Sequence, residues 1–175
     1  KMVSRMEDFG GERIEEMDAT GIDIQILSVA PPGVHNLPKD VAVTAAKQTN
    51  DYLANKMSHN PTRFRGFAAL PMQDPQAAAK ELERAVKELN FVGGMIHGLT
   101  NSQFDDGKAS WPVYEAAAKL NVPIYWFSAV DKQDLESLRN KVVEHVLTPF
   151  IEFDLQLPNA IRDEIELLSP ALIEK

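Results

Sequence analysis

Short apolar runs alternate along the chain with longer stretches in which apolar residues recur at helical spacing. The apolar runs predict β-strands at Ile22–Val29, Phe64–Leu70, Phe91–His97 and Val122–Phe127. The runs are nearly continuous in their hydrophobicity, which is typical of strands covered on both faces of a sheet. Successive runs lie roughly 30 to 40 residues apart, the size of a βα repeat with parallel strands.

The stretches between these runs predict helices, and their ends carry recognisable signals. Gly21 follows the first helix at the position where a C′ glycine closes a helix, and Asn60-Pro61 stops the second. Asp74 is placed as an N-cap ahead of Pro75, and Ser110 is placed as the cap of a later helix. We expect helices at Arg13–Thr20, Lys39–His59, from Pro75 onwards, and from Ser110 through Leu120.

The apolar positions of two helices predict the faces that they bury. In the second helix these are Val43, Ala46, Tyr52, Leu53 and Met57. In the third helix they are Ala78, Leu82, Val86 and Leu89.

The alternation of strands and helices excludes an all-α or an all-β fold and favours an α/β fold, either a doubly wound sheet or a barrel. The repeats cover about residues 13–127, and the residues beyond Ala129 follow a different pattern. We interpret 1–175 as a single domain with a helical tail at 131–175. A closed barrel takes ~250 residues, so we expect an incomplete barrel here.

Composition narrows the class of partner. The net charge of −8 and the pI near 5.0 argue against a nucleic-acid groove or an anionic membrane surface, because both need a basic face. Cysteine is absent, and no apolar run approaches the ~18 residues of a membrane span. We therefore expect a cytoplasmic protein with a small-molecule ligand. The chain starts at Lys1 without an initiator methionine, so we expect the natural N-terminus to lie upstream.

Several segments of the chain, which occur in the family's order, resemble the amidohydrolase-2 (amidohydrolase-related) family. Its members include γ-resorcylate, 2,3-dihydroxybenzoate and aminocarboxymuconate-semialdehyde decarboxylases. Each motif is weak alone, but together they cover about two-thirds of the chain. The matching segments are Met17–Asp23, Ile26–Ser28, Asn50-Asp51, Pro61–Phe64, Phe67–Pro75, Phe91–Gly94, and Trp111 through Val122–Tyr125.

The resemblance implies a (β/α)8 TIM barrel with a divalent metal, zinc or manganese, at the C-terminal ends of the strands. It implies non-oxidative decarboxylation of a hydroxylated aromatic or muconate-like carboxylic acid by a homodimer or homotetramer. Two alternatives stay open: a metal-dependent hydrolase of the same superfamily, and a catalytically inactive partial barrel that acts as a binding or assembly module.

The chain departs from the family pattern at the metal ligands. No Glu-x-His or His-x-His pair precedes Arg13, where the family's first strand carries its ligands. Trp126 and Phe127 stand where the family ends a later strand with a metal-binding histidine. We therefore assign no metal ligand in this chain, although the family uses a divalent ion.

His97 is the strongest candidate for a catalytic or substrate-binding residue. It ends a predicted strand, and the C-terminal strand ends form the active-site face of a barrel. Ala30 and Pro31 follow another strand at the same face and are candidate substrate-binding residues. We expect His35, in the same loop, to face solvent.

The remaining notable residues receive structural interpretations. We expect Trp111, Trp126 and Phe127 to be buried in the core, with the floor of an aromatic-acid pocket as the alternative. We expect His59 to lie at a helix C-terminus. Arg63 is expected to pack or cap at the end of the barrel opposite the site. Gly93-Gly94 lies inside a strand, so it is not a dinucleotide-binding fingerprint.

The missing ligand pair generates a prediction about the chain of 175 residues. We expect it to bind no catalytic metal tightly, because a catalytic zinc site needs three protein ligands and His97 with Asp131 would supply at most two. Metal analysis after dialysis checks this. One retained equivalent of zinc or manganese would show that the ligands were misplaced.

Overall fold

The computed structural model describes residues 7–97, 99–100, 103–105 and 107–125, together with Ser137 and Asn140. By internal packing the chain divides into two compact units, residues 1–124 and 125–175. The predicted tail at 131–175, apart from those two positions, lies outside the described residues, as do Trp126 and Phe127. The interpretation of 1–175 as a single domain stays a prediction.

The helices fall close to their predicted positions. They are α1 (Gly11–Thr20), α2 (Lys39–Met57), α3 (Pro75–Glu88) and α4 (Trp111–Lys119), the last preceded by a 3-10 turn at Lys108–Ser110. Within the described ranges, no helix combines the length and the apolar character needed to cross a membrane.

Three predicted strands form one parallel sheet. They are β1 (Gln25–Leu27), β2 (Phe64–Ala69) and β3 (Gly93–Met95), in the order β1-β2-β3 with parallel pairing throughout. The predicted parallel βα repeats are thereby confirmed for these three strands, although each is shorter than predicted. In the fourth predicted strand, Val122–Phe127, the described part at 122–125 has no strand pairing. A short antiparallel hairpin, β4 (Leu99–Thr100) and β5 (Gln103–Phe104), follows β3.

Local chemistry explains where α1 and α3 begin and end. Gly21 is left-handed at φ +70°; its N–H donates to the Asp18 carbonyl, and the Ile22 N–H donates to the Met17 carbonyl. This is a Schellman ending. The Asp74 carboxylate caps α3 by accepting from the Ala77 N–H at 3.2 Å. That bond, followed by the contact with Lys39, lowers the pKa of Asp74.

Two details of the helices differ from prediction. Ser110 stands before α4 but makes no side-chain capping hydrogen bond. Tyr52 on α2 is 52% exposed, whereas Ala42 and Asn50 are buried together with the predicted Ala46, Leu53 and Met57. The buried face of α2 is therefore rotated away from Tyr52.

Small residues allow the strands to lie close to their neighbours. A Cβ at Gly66 of β2 would lie 2.9 Å from both Met57 Cε and Phe91 Cε1, and a Cβ at Gly94 of β3 would lie 2.6 Å from Leu70 Cδ1. Side chains at these positions would displace the core. The core itself contains Met57, Phe64, Leu70, Leu82 and Phe91.

The side chain of Asn50 joins α2 to the end of β2. Its Nδ2 donates to the Ala69 carbonyl at 3.0 Å, and its Oδ1 accepts from the Ala69 N–H at 2.8 Å. The pairing of β1 with β2 ends at Leu27 and Gly66. Asn50 thus supplies at Ala69 the hydrogen bonds that a neighbouring strand would supply.

A charged group on α3 completes the same network. The second Nδ2 hydrogen of Asn50 donates to Glu81 Oε1 at 2.7 Å. Arg84 contacts both oxygens of Glu81 and pairs with Asp51 at 2.7 Å. The hydrogen bonds that Arg84 donates to Glu81, and next to Asp51, raise the pKa of Arg84, so the guanidinium stays charged. The network connects α2, α3 and β2 at one end of the sheet.

We predict that Asn50→Ala is strongly destabilising. The change leaves the backbone N–H and carbonyl of buried Ala69 without these partners, so the free energy of unfolding should fall by ~2–4 kcal/mol. Urea unfolding measures this. Asn55→Ala is the matched control, because Asn55 is exposed on the same helix. Equal stability of the two variants would contradict the assigned role of Asn50.

Candidate functional site

The carboxyl ends of the three parallel strands meet at one edge of the sheet. Val29 follows β1, Ala69 ends β2, and His97 follows β3. Because the strands are parallel, the segments that follow them converge on the same edge, which is where barrel enzymes build their sites. The candidate site is therefore this edge and the loop at residues 28–38.

His97 is fixed by a hydrogen bond to the loop after β1. Its Nε2 lies 2.9 Å from the Val29 carbonyl oxygen, and the side chain is half-buried. A carbonyl can only accept, so a neutral His97 carries its proton on Nε2. Its Nδ1 is then the ring nitrogen with a free lone pair.

His35 is buried at 2% exposure, so the prediction that it faces solvent is wrong. Its Nδ1 lies 3.2 Å from the backbone oxygen of His97, and the two imidazole centroids are 5.8 Å apart. By the same reasoning, Nδ1 carries the proton in a neutral His35, and Nε2 has the free lone pair. The structure brings together two histidines, of which sequence reasoning identified one.

The loop buries His35 because it folds back as successive turns. The Gly33 N–H donates to the Ala30 carbonyl at 2.9 Å, and the His35 N–H donates to the Pro32 carbonyl at 3.1 Å. Gly33 permits this course with φ +56°. Gln73 then holds the loop, since its Nε2 donates to the carbonyls of Val34 and Leu37 at 2.7 and 3.0 Å.

Ala30 and Pro31 lie on the exposed surface of this loop. The Pro31-Pro32 peptide bond is cis. Neither Ala30 nor Pro31 is among the residues that line the cavity between the histidines and the strands. Their predicted contact with substrate stays a prediction.

A small cavity separates the two histidines from the strand ends. It is lined by His35 and His97, by Phe67 and Met95 of the strands, and by Val29 and Gly33 of the loop. Its volume is about 10 Å³, the space of about one water molecule. An aromatic ring does not fit inside it, so a ring could contact only its mouth.

A larger groove of about 480 Å³ lies between α3 and α4 on the helical side. Trp111 lines it, is 52% exposed and lies 5.7 Å from Lys108 Nζ. The expectation that Trp111 is buried in the core is therefore wrong, since α4 begins at this residue and leaves the indole on the surface. Among the described residues, the segments directly after β1, β2 and β3 do not line this groove, so we do not place the site there.

Other predicted structural roles agree with the geometry. Arg63 pairs with Asp18 at 2.7 Å and donates to the Ile22 and Asp23 carbonyls, at the end of β2 opposite the histidines. His59 is exposed beyond α2, and its Nδ1 lies 2.8 Å from the Asn55 carbonyl oxygen.

The donor set in the described part of the chain does not fit a catalytic metal. No group of three or more His, Cys, Asp or Glu residues there could hold an ion. No chemical step is therefore assigned to a metal bound by these residues.

Comparison with known proteins extends this picture. A family model described as "Amidohydrolase" matches residues 4–149. The γ-resorcylate decarboxylase of Polaromonas sp. strain JS666 is 43% identical over 132 residues, which cover 71% of this chain and 40% of that relative. The chain thus spans well under half the length of this relative.

Solved structures give a consistent result. A dihydroxybenzoic acid decarboxylase from Polaromonas sp. JS666, with bound manganese and the inhibitor 2-nitroresorcinol, is 39% identical with a TM-score of 0.66, covering 81% of this chain and 45% of that one. A 5-carboxyvanillate decarboxylase from Novosphingobium aromaticivorans, complexed with manganese and 4-hydroxy-3-methoxy-5-nitrobenzoic acid, is 38% identical with a TM-score of 0.65, covering 69% and 34%. With the parallel βα repeats, these similarities confirm the predicted α/β fold of the (β/α)8 TIM-barrel type.

We predict that Gly33→Ala perturbs both histidines. The new Cβ would make ordinary contacts, 3.8 Å from Val29 Cγ1 and 3.9 Å from His97 Cδ2, so the cost comes from φ +56° and should be ~1–2 kcal/mol. The loop should relax and shift the imidazole NMR signals of His35 and His97.

Gly21→Ala is the matched control, because Gly21 has φ +70° and its Cβ would meet nothing within 4 Å. It should lose similar stability and leave the two imidazole signals in place. Unchanged signals in Gly33→Ala would mean that Gly33 does not set the loop conformation around the histidines.

Proposed function

The chain belongs to the amidohydrolase family, and on that premise we propose that the whole protein decarboxylates a hydroxylated aromatic acid without oxidation. The observation that carries the proposal is the 43% identity to a γ-resorcylate decarboxylase over 132 residues. The position of His97 at the C-terminal edge of the sheet supports the same reaction.

The proposed reaction exchanges the carboxylate of the aromatic ring for a proton. The bond between the ring carbon and the carboxylate breaks, carbon dioxide leaves, and the ring carbon gains a proton. A hydroxylated ring is electron-rich and can hold the charge during this exchange, and a positioned acid or base can move the proton.

We assign His97 the role of contacting the substrate through Nδ1. Its Nε2 donates a hydrogen bond to the Val29 carbonyl oxygen. Nδ1 is therefore the nitrogen that can accept a hydrogen bond from the substrate or, when protonated, deliver a proton to it. Ala30 and Pro31 are proposed to border the ring at the exposed mouth of the site.

The proposal also covers properties that the family suggests. Both solved structures described above contain manganese, and we extend a divalent metal, zinc or manganese, to the whole protein. We further propose that it is cytoplasmic and forms a homodimer or homotetramer, which size-exclusion chromatography with light scattering would test. A muconate-like acid is the alternative substrate class.

We predict that His97→Ala, made in the whole protein, lowers turnover of a dihydroxybenzoate by ~10² or more. The same change loses one hydrogen bond to Val29, so the free energy of unfolding should fall by only ~0.5–1.5 kcal/mol. Carbon dioxide release measures turnover, and thermal melting measures stability.

His59→Ala is the control, because His59 is an exposed histidine away from the strand ends. Hydrolysis of a lactone panel without carbon dioxide release would support the hydrolase alternative instead. If the whole protein folds but shows neither carbon dioxide release nor lactone hydrolysis, the binding or assembly module is favoured. A variant that melts far lower but keeps its turnover would make His97 a structural residue.

A further inference from the structure

Two hydrogen bonds that run in opposite directions join His97 to the loop after β1. The Nε2–H of His97 donates to the Val29 carbonyl at 2.9 Å. The Nδ1–H of His35, further along the same loop, donates to the backbone oxygen of His97 at 3.2 Å. Both rings are donors here, because a carbonyl oxygen can only accept. One bond therefore holds the imidazole of His97, and the other holds its backbone.

The backbone of His97 lies just beyond the paired part of β3. The pairing of β3 with β2 ends at Met95, opposite Ala69. The ladder between these two strands therefore stops short of the peptide group of His97. The imidazole of His35 supplies a hydrogen bond at a point that this ladder does not reach.

His35 is itself firmly held, so it can act as a fixed donor. Its side chain is buried at 2% exposure, and its backbone N–H donates to the Pro32 carbonyl at 3.1 Å. Gln73 donates to the carbonyls of Val34 and Leu37, which lie on either side of it in the chain. A side chain whose own conformation is fixed by packing and by such hydrogen bonds can hold a second group in a defined place.

We propose that His35 is a positioning residue for His97. It holds the backbone of His97 in the place from which Nε2 reaches Val29, and Nδ1 of His97 is then the nitrogen left for the substrate. This inference rests on the proposed function, in which His97 contacts the substrate. The placement matters for catalysis, because a displacement of about 1 Å can lower a rate by ~10².

Imidazole nitrogen NMR tests the two hydrogen bonds without an activity measurement. At a pH of about 8, where imidazoles are ordinarily neutral, His35 should be protonated at Nδ1 and His97 at Nε2. Both ring protons should exchange with water more slowly than the ring proton of exposed His59. A His35 that is protonated at Nε2 instead would overturn the inference, because its Nδ1 would have no hydrogen to donate to His97.

Two substitutions separate the hydrogen bond of His35 from the packing of its ring. His35→Asn keeps an N–H donor at the place of Nδ1 but is smaller than the ring, whereas His35→Leu fills more of the space and has no donor. The Nε2 proton of His97 should stay protected in His35→Asn and exchange at least about fivefold faster in His35→Leu, the effect expected from one hydrogen bond. The reverse order would mean that packing alone matters and would overturn the inference.

Turnover of the whole protein provides the second arm. His35→Leu should lower kcat for a dihydroxybenzoate by ~10-fold or more, and His35→Asn should retain most of it. In a His97→Ala background, His35→Leu should lower kcat by less than about twofold more, because a positioning residue acts through His97. His59→Leu, at an exposed histidine away from the strand ends, is the matched control. Losses that multiply independently would make His35 a structural residue.

Failure of this inference and failure of the proposed function give different results. If the ring protons behave as expected but the whole protein releases no carbon dioxide, the proposed function is rejected and the hold of His35 on His97 stands. If carbon dioxide is released but the His97 proton is equally protected in both His35 variants, the positioning role is rejected. If His35→Leu does not fold, the tautomer of His35 in the unaltered chain and the His97 proton in His35→Asn decide.

Discussion

The hydrogen bonds between the Asn50 amide and the backbone of Ala69 fix the edge of the sheet on which the candidate site depends. The pairing of β1 with β2 ends at Gly66. Without Asn50, the backbone groups of Ala69 that face the β1 side of β2 would have no strand to pair with. Asn50 satisfies both groups of Ala69 and is itself fully buried. The constraint places the C-terminal end of β2, with Phe67, beneath the two histidines.

The local parts of this fold could be predicted from the sequence, because their causes are local. Gly21 ends α1 and Asp74-Pro75 begins α3, each through contacts within a few residues. The spacing of apolar runs likewise predicted parallel strands in chain order. These features depend on backbone conformation and periodicity, which neighbouring residues determine.

The parts that were missed depend on contacts between distant segments. His35 lies buried in a loop that Gln73 holds by donating to the Val34 carbonyl, and these two residues are 39 positions apart in sequence. The residues next to His35 in sequence do not signal this burial, although Gly33 allows the turn. The prediction for Trp111 was wrong in the opposite sense, because burial was expected and the side chain is exposed. A large apolar side chain predicts burial, but Trp111 lies at the first turn of α4, which leaves it on the surface.

The partners of the two histidines limit the chemistry that the site can perform. In nucleophile-activating triads a buried carboxylate holds the imidazole and stabilises its positive form. Here both rings are held by peptide oxygens, of Val29 and of His97 itself. A peptide oxygen sets the tautomer and the direction of the ring without contributing a full negative charge. In the described part of the chain, the pair can therefore position a ligand at the edge of the sheet, but it has no carboxylate partner of the kind with which a triad generates a nucleophile.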